Sequence, residues 1–133
     1  EIAHFARVDN SQYRLLKATT PGSYTFILEG TKELPRRVLH PKRKTIGIRV
    51  PEHAISQALL AELGEPLLTS TLQLPGDEYP LNDPEEVRER VGSRLDLIID
   101  GGFGTLEPTT VVDLSGDSPV VLRQGRGDPA PFL

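Results

Sequence analysis

Thr109-Thr110-Val111-Val112-Asp113-Leu114 and Pro119-Val120-Val121-Leu122-Arg123-Gln124, parted by Ser115-Gly116-Asp117-Ser118, decide the class of fold. Both runs are rich in β-branched residues and the four residues between them are turn formers, so together they predict a β-hairpin. A hairpin is antiparallel, which excludes a purely parallel βαβ sheet. Working back from it, Leu95–Ile99 reads as a strand ending at Gly101-Gly102-Phe103-Gly104. Asp83-Pro84-Glu85-Glu86 is a helix-start signature, with Asp83 as N-cap and Pro84 at the first position. That helix turns Val87 and Val91 inward and stops at Gly92. Pro66–Thr71 reads as a buried strand running into a loop. Pro51 opens a helix with Ile55, Leu59 and Leu63 on one face and Gly64 as its stop. Thr45–Val50 and Ser23–Glu29 read as strands, and Asn10-Ser11 caps a helix through Lys17. Between them, Glu33–Leu39 allows one helical turn after Pro35, closed by His40-Pro41.

About six strands and three helices, interleaved but ending in a hairpin, make an α/β arrangement of the α+β type. The expectation is a twisted, open, mixed parallel and antiparallel sheet with helices packed on it, one domain over residues 1–133. With 37% hydrophobic and 26% charged residues, the chain has the composition of a folded domain, not a disordered one. No apolar run approaches the roughly 20 residues of a membrane-spanning helix, and no basic-then-apolar leader is visible. The absence of cysteine rules out disulfides, thiolate zinc sites and a cysteine nucleophile, and suits a reducing cytoplasm, the expected location. The sequence starts at Glu1 and contains no Met, which predicts a processed or truncated chain.

A formal net charge of −4 hides a strong asymmetry. Residues 32–49 hold Lys32, Arg36, Arg37, Lys42, Arg43, Lys44 and Arg49 against the single acid Glu33. Residues 77–100 hold eight acids against three arginines. The basic segment has two readings: a surface for phosphates, on a nucleotide or an RNA backbone, or a solvated turn whose charge guards an edge strand.

His4, His40 and His53 lack metal-ligand spacing, and no metal site is expected. Gly101-Gly102-Phe103-Gly104 lacks the Lys-Ser/Thr of a P-loop and reads as a glycine turn. Thr69-Ser70-Thr71 with Gln73 is more pointed, because hydroxyls at the carboxyl end of a buried strand stand where open α/β sheets bind ligands. Thr109-Thr110 and Arg123 lie on the two strands of the hairpin and can face one surface, where a guanidinium suits a phosphate or carboxylate. Strand propensity alone also explains threonines in these places.

Several stretches resemble the YrdC/YciO superfamily of threonylcarbamoyl-adenylate synthases and their relatives. They are Pro21-Gly22-Ser23-Tyr24-Thr25, Lys42 through Pro51, Thr109 through Leu114, and Val121-Leu122-Arg123-Gln124-Gly125. Lys42–Pro51 together with Thr71-Leu72-Gln73-Leu74-Pro75-Gly76 is most similar to the YciO branch. The resemblance implies a twisted open sheet with a positively charged concave surface. It also implies an activity, that of a nucleotidyltransferase making threonylcarbamoyl-AMP from ATP, with Mg2+, bicarbonate and threonine for tRNA modification. Its alternative is a non-catalytic module of the YciO branch binding tRNA or double-stranded RNA through Lys32, Arg36, Arg37, Lys42, Arg43 and Lys44. By the resemblance, Thr25, Arg49, Thr69, Thr71, Gln73, Thr109 and Arg123 contact nucleotide or substrate. Thr71-Leu72-Gln73 stands where active synthases carry Ser-Ala-Asn, which implies weak or altered activity. The match corresponds to the C-terminal two thirds of such a protein, without its Lys-x-Arg segment, so this chain is expected to be inactive by itself.

Overall fold

The structure, a computed structural model, describes residues 2–133. They fall into two compact units, one running through His53 and resuming over Thr109–Leu133, the other spanning Ala54–Pro108.

The first unit holds helices α1 (Ile2–Phe5) and α2 (Asn10–Thr19) and strands β1 (Tyr24–Glu29) and β2 (Thr45–Ile48). The second holds α3 (Ala54–Leu63) and α4 (Pro84–Val91), and the first unit is completed by β3 (Thr110–Asp113) and β4 (Val120–Arg123). The four strands form one sheet in the order β2-β1-β3-β4, in which β1 pairs antiparallel with β2 and parallel with β3. The β3–β4 pair is antiparallel, so the hairpin forms as its turn residues require and the sheet is mixed.

Strand β1 shows why this sheet has two different faces. Tyr24, Phe26 and Leu28 are buried, while Thr25 and Ile27 between them are half-buried, following the period of two. The buried set joins Ala6, Leu16, Val112, Leu114 and Phe132 in one core. Leu16 brings α2 onto the sheet, and the 3-10 turn Ala130–Phe132 brings the C-terminal end there. The Tyr24 hydroxyl donates to the Asp128 carbonyl at 2.9 Å, and burial raises its pKa, keeping the phenol a neutral donor.

The caps follow local chemistry. The cap of α2 lies one residue earlier than expected, at Asp9, which accepts from the Gln12 N–H while Gln12 Oε1 accepts from the Asp9 N–H, both at 2.8 Å. Asp83 caps α4 with Pro84 at its first turn, and Val87 and Val91 are buried, as the pattern requires. Helix α3 begins three residues after Pro51 and ends at Gly64, whose φ of +72° suits glycine.

Two expected strands do not form. Pro66–Thr71 and Leu95–Ile99 belong to no ladder among the described residues. Leu68 is 83% exposed and Leu97 78%. An apolar β-prone run becomes a strand only when a neighbouring chain supplies its hydrogen bonds, and the local pattern carries no information about that neighbour. The sheet therefore has four strands rather than six.

In the second unit, Arg90 grips Asp77 with two N–H donors at 2.9 and 3.1 Å. This hydrogen bonding holds the Asp77 carboxyl below its ordinary value of 3.8. A lowered folded-state pKa stabilises above the unfolded value and is lost as pH falls through the folded one. Acid titration of helicity should therefore show a step below pH 3.8 that Arg90→Gln removes. An identical titration in the variant would mean the pair contributes nothing.

Candidate functional site

The face of β1 turned away from the core carries Thr25, and its hydroxyl lies 2.7 Å from that of Thr109. Arg123 completes the group. Its Nε and Nη2 donate to the Thr109 carbonyl at 3.1 and 2.8 Å, and Nη2 also donates to Thr109 Oγ1 at 3.3 Å. The three residues come from β1, the residue before β3, and the end of β4, so three neighbouring strands converge here.

A β-bulge places Arg123 on this face. Asp113 pairs with Val120 and Val112 with Val121, yet Val111 pairs with Arg123, leaving Leu122 as the extra residue. An unbroken register would set Arg123 opposite Thr110, whose side chain is fully buried. The bulge shifts it opposite Val111, on the same face as Thr25, the partner of Val111 in β1. No local signal marks this: Val120-Val121-Leu122 does not alternate, so its register cannot be read from sequence.

Two further residues border the group. Gly47 pairs with Ile27, and a Cβ there would come 3.4 Å from the Thr25 methyl carbon Cγ2, so glycine leaves space beside that methyl. Arg49 follows Ile48, the last residue of β2 and the partner of Phe26, and is exposed to solvent. Sequence reading singled out Arg49 but not Gly47.

The remaining expected site residues are placed differently. Thr69, Thr71 and Gln73 belong to the second unit, where Thr69 and Thr71 lie in irregular, exposed chain and not at a strand's carboxyl end. The Gln73 amide is spent on its own loop, donating to the Asp77 carbonyl at 3.0 Å and the Glu78 carbonyl at 3.4 Å. Thr110, expected to accompany Thr109, faces the core, where its hydroxyl donates to the Gly127 carbonyl at 2.6 Å and accepts from the Gly125 N–H at 2.9 Å.

The basic residues Lys32, Arg36, Arg37, Lys42, Arg43 and Lys44 are all exposed. Among the described residues none of them forms an ion pair. The turn that displays the last three is built by His40, whose Nδ1 accepts from the Lys42 and Arg43 N–H groups at 3.2 and 3.1 Å. Lys44, at φ 57°, returns its N–H to the His40 carbonyl and leads into β2.

Other side chains line at least two concavities among the described residues. One, about 340 Å³ in the second unit, is lined by Leu81, Val87, Leu95 and Leu97 among others. The other, about 390 Å³ in the first unit, is lined by Arg7, Asp9, Gln12, Glu29 and Asp117 at the carboxyl ends of β1 and β3. In it, Asp9 and Gln12 are committed to the cap of α2. No group of three or more His, Asp or Glu side chains among the described residues is placed to hold a metal. No described helix is long and apolar enough to cross a membrane.

A mixed sheet with one packed face, and hydroxyls held by a guanidinium on the other, defines an α+β domain built to present polar groups from its strands. The chain belongs to the Sua5/YciO/YrdC family, whose model, described as telomere recombination, matches residues 1–125. It is 56% identical over 133 residues to the uncharacterised protein YciO of Escherichia coli K12, covering 100% of this chain and 65% of that one. The crystal structure of E. coli YciO superposes with a TM-score of 0.93 over the same shares of the two chains. The threonylcarbamoyl-AMP synthase of Halorhodospira halophila is 34% identical over 110 residues, covering 82% of this chain and 56% of the synthase. P. abyssi Sua5 complexed with L-threonine gives a TM-score of 0.79 at 27% identity, over 91% of this chain and 36% of that one. This chain thus spans 65% of the length of the YciO proteins it matches.

Proposed function

We propose that this chain carries the nucleotide- and amino-acid-handling face of a cytoplasmic threonylcarbamoyl-AMP synthase-like protein, acting on ATP, threonine and bicarbonate. The observation that carries this reading is the Thr25–Thr109–Arg123 group, a cluster of polar atoms assembled from three strands on the open face of the sheet. Kinship with synthases and with a Sua5 that binds L-threonine supports it. Mg2+ enters this reading as the counterion of ATP. The chemistry would be positional: held phosphates and fixed hydroxyls let a carbamate oxygen attack the α-phosphate while pyrophosphate leaves. The test is titration of the chain with ATP and with L-threonine, followed by amide and methyl NMR shifts. Arg123→Ala should weaken the binding by about 1–3 kcal/mol, the scale of a lost charge-assisted contact. Shifts that do not saturate with either ligand would remove this reading.

A second reading is favoured by a separate observation, the exposed and unpaired cations from Lys32 to Lys44. We infer that these meet the phosphates of tRNA or double-stranded RNA, without sequence preference, because duplex RNA is read by shape and backbone. Three or four phosphate contacts give a slope of log affinity against log salt near −3, at about −0.9 per phosphate on duplex DNA. Changing Lys42, Arg43 and Lys44 together to Ala should flatten that slope and weaken every duplex alike. An unaltered slope would return these residues to a solvated turn guarding β2, one edge of the sheet.

A further inference from the structure

We propose that His40 is a proton-operated latch on the basic turn: neutral, it holds residues 41–44 closed, and protonated, it releases them, so that duplex RNA bound there takes up a proton with it. The proposal rests on the RNA-binding reading of the basic segment and says how that binding is regulated. What carries it is where the backbone N–H groups of the turn go. Pro41 has none to give. The Lys42 and Arg43 N–H groups both donate to His40 Nδ1, at 3.2 and 3.1 Å, and the Lys44 N–H donates to the His40 carbonyl at 2.9 Å. Every backbone N–H of residues 41–44 thus ends on one residue, whose own N–H donates to the Thr45 carbonyl at 2.9 Å as β2 begins.

A neutral imidazole has one acceptor nitrogen and one donor nitrogen. Two N–H groups aimed at Nδ1 put the imidazole hydrogen on Nε2. A second proton can enter only at Nδ1, where it meets two donors and no acceptor, so a charged His40 and a closed turn exclude each other. The charged groups about the imidazole are Lys42, Arg43 and Lys44 on the turn, Arg36 and Arg37 on the 3-10 turn Arg36–Val38 before it, and Glu29 on β1, opposite Thr45. Glu33 lies 3.8 Å from His4, and among the described residues no acid forms an ion pair with His40. An imidazolium freed from the turn therefore takes its counter-charge from a visiting anion. On an RNA backbone two effects then favour the same state. The segment gains one positive charge, and two backbone N–H groups lose their internal acceptor, and phosphate oxygens satisfy both. Coupling is reciprocal, so the proton strengthens the hold on phosphate and phosphate favours the proton.

The test compares the chain with His40→Asn, whose side-chain oxygen can accept the same two N–H groups but takes up no proton. Each is titrated with a short RNA duplex at fixed salt, at about pH 8 and about pH 6, on either side of histidine's usual change of charge. The lower pH should tighten binding about tenfold in the unsubstituted chain, within the ordinary range for two coupled sites. In His40→Asn the gain should stay within about twofold, since the group that carries the coupling is gone. His4 and His53 are common to both proteins, so the difference between them reports His40 alone. An equal gain in the two, or no gain in either, overturns the proposal. In the RNA-free chain, the Lys42 and Arg43 amide resonances should move in step with the His40 imidazole as pH falls, and show no such step in His40→Asn. Amides that ignore the titration of His40 overturn the latch whether or not RNA binds. Amides that follow it, in a chain that binds no duplex at either pH, overturn the RNA reading alone.

Discussion

Replacing Phe26 with Ala should lower the unfolding free energy by about 4 kcal/mol, within the range for emptying a buried aromatic site. Phe26 lies in β1, which is hydrogen-bonded on both sides, and only 1% of its surface is exposed. Its ring stacks on Tyr24 at 5.5 Å and meets Phe132 edge-on at 5.7 Å. Those two rings are brought from the start of the strand and the far end of the chain, and a methyl group cannot fill the gap between them. The consequence reaches function, because Thr25 is the preceding residue and its direction depends on the pleat that Phe26 anchors. Urea unfolding is the measurement, with a lower midpoint and an unchanged slope as the expected form. A loss below about 1 kcal/mol would show that the core collapses around the gap and that this aromatic cluster is not what holds the sheet.

Gly127→Ala should cost about 3 kcal/mol, the upper part of the range for overpacking. A Cβ at this position would lie 2.5 Å from Tyr24 Cε1 and 2.7 Å from the Ser23 carbonyl oxygen. That oxygen accepts from the Thr110 N–H at 3.1 Å and has little freedom to retreat. The segment must therefore move outward, stretching the 2.6 Å bond from the fully buried Thr110 hydroxyl to the Gly127 carbonyl. Leaving the buried hydroxyl's hydrogen without an acceptor is what makes the displacement expensive. The expected fall in melting temperature is on the order of 10 °C for a chain of this size. An unchanged melting temperature would mean that residues 125–133 adjust freely, and that Thr110 finds another acceptor.

These two residues mark where sequence reading succeeds and where it stops. The strand that holds Phe26 was legible, since Ser23–Glu29 is rich in the Tyr, Thr, Phe and Ile that favour strands. The importance of Gly127 was not, because the contact that forbids a side chain there comes from residues 23 and 24, over a hundred positions away. The same contrast runs through the second unit. Asp83, Pro84, Val87 and Val91 declare α4 locally, whereas Leu95–Ile99 has the composition of a strand and stays unpaired.

By itself the sequence determined α2, α3 and α4 as helices, the cap and stop of α4, the glycine stop of α3, the hairpin about Ser115–Ser118, the mixed character of the sheet and the basic turn before β2. Each of these rests on interactions within a few residues: a capping oxygen and the next N–H, a period of 2 or 3.6, a turn's demand for glycine or asparagine-like residues. It also brought Thr25, Arg49, Thr109 and Arg123 forward as candidates, but not their arrangement. Only the tertiary structure decided that four strands pair and two apolar runs do not, that Thr110 turns inward while Thr109 meets Thr25, and that Arg123 joins them. The reason is one of register. A strand's faces are set by its own alternation, but which face meets which is set by its neighbour, and a single extra residue, Leu122, carries Arg123 from the buried side of the sheet to the open one.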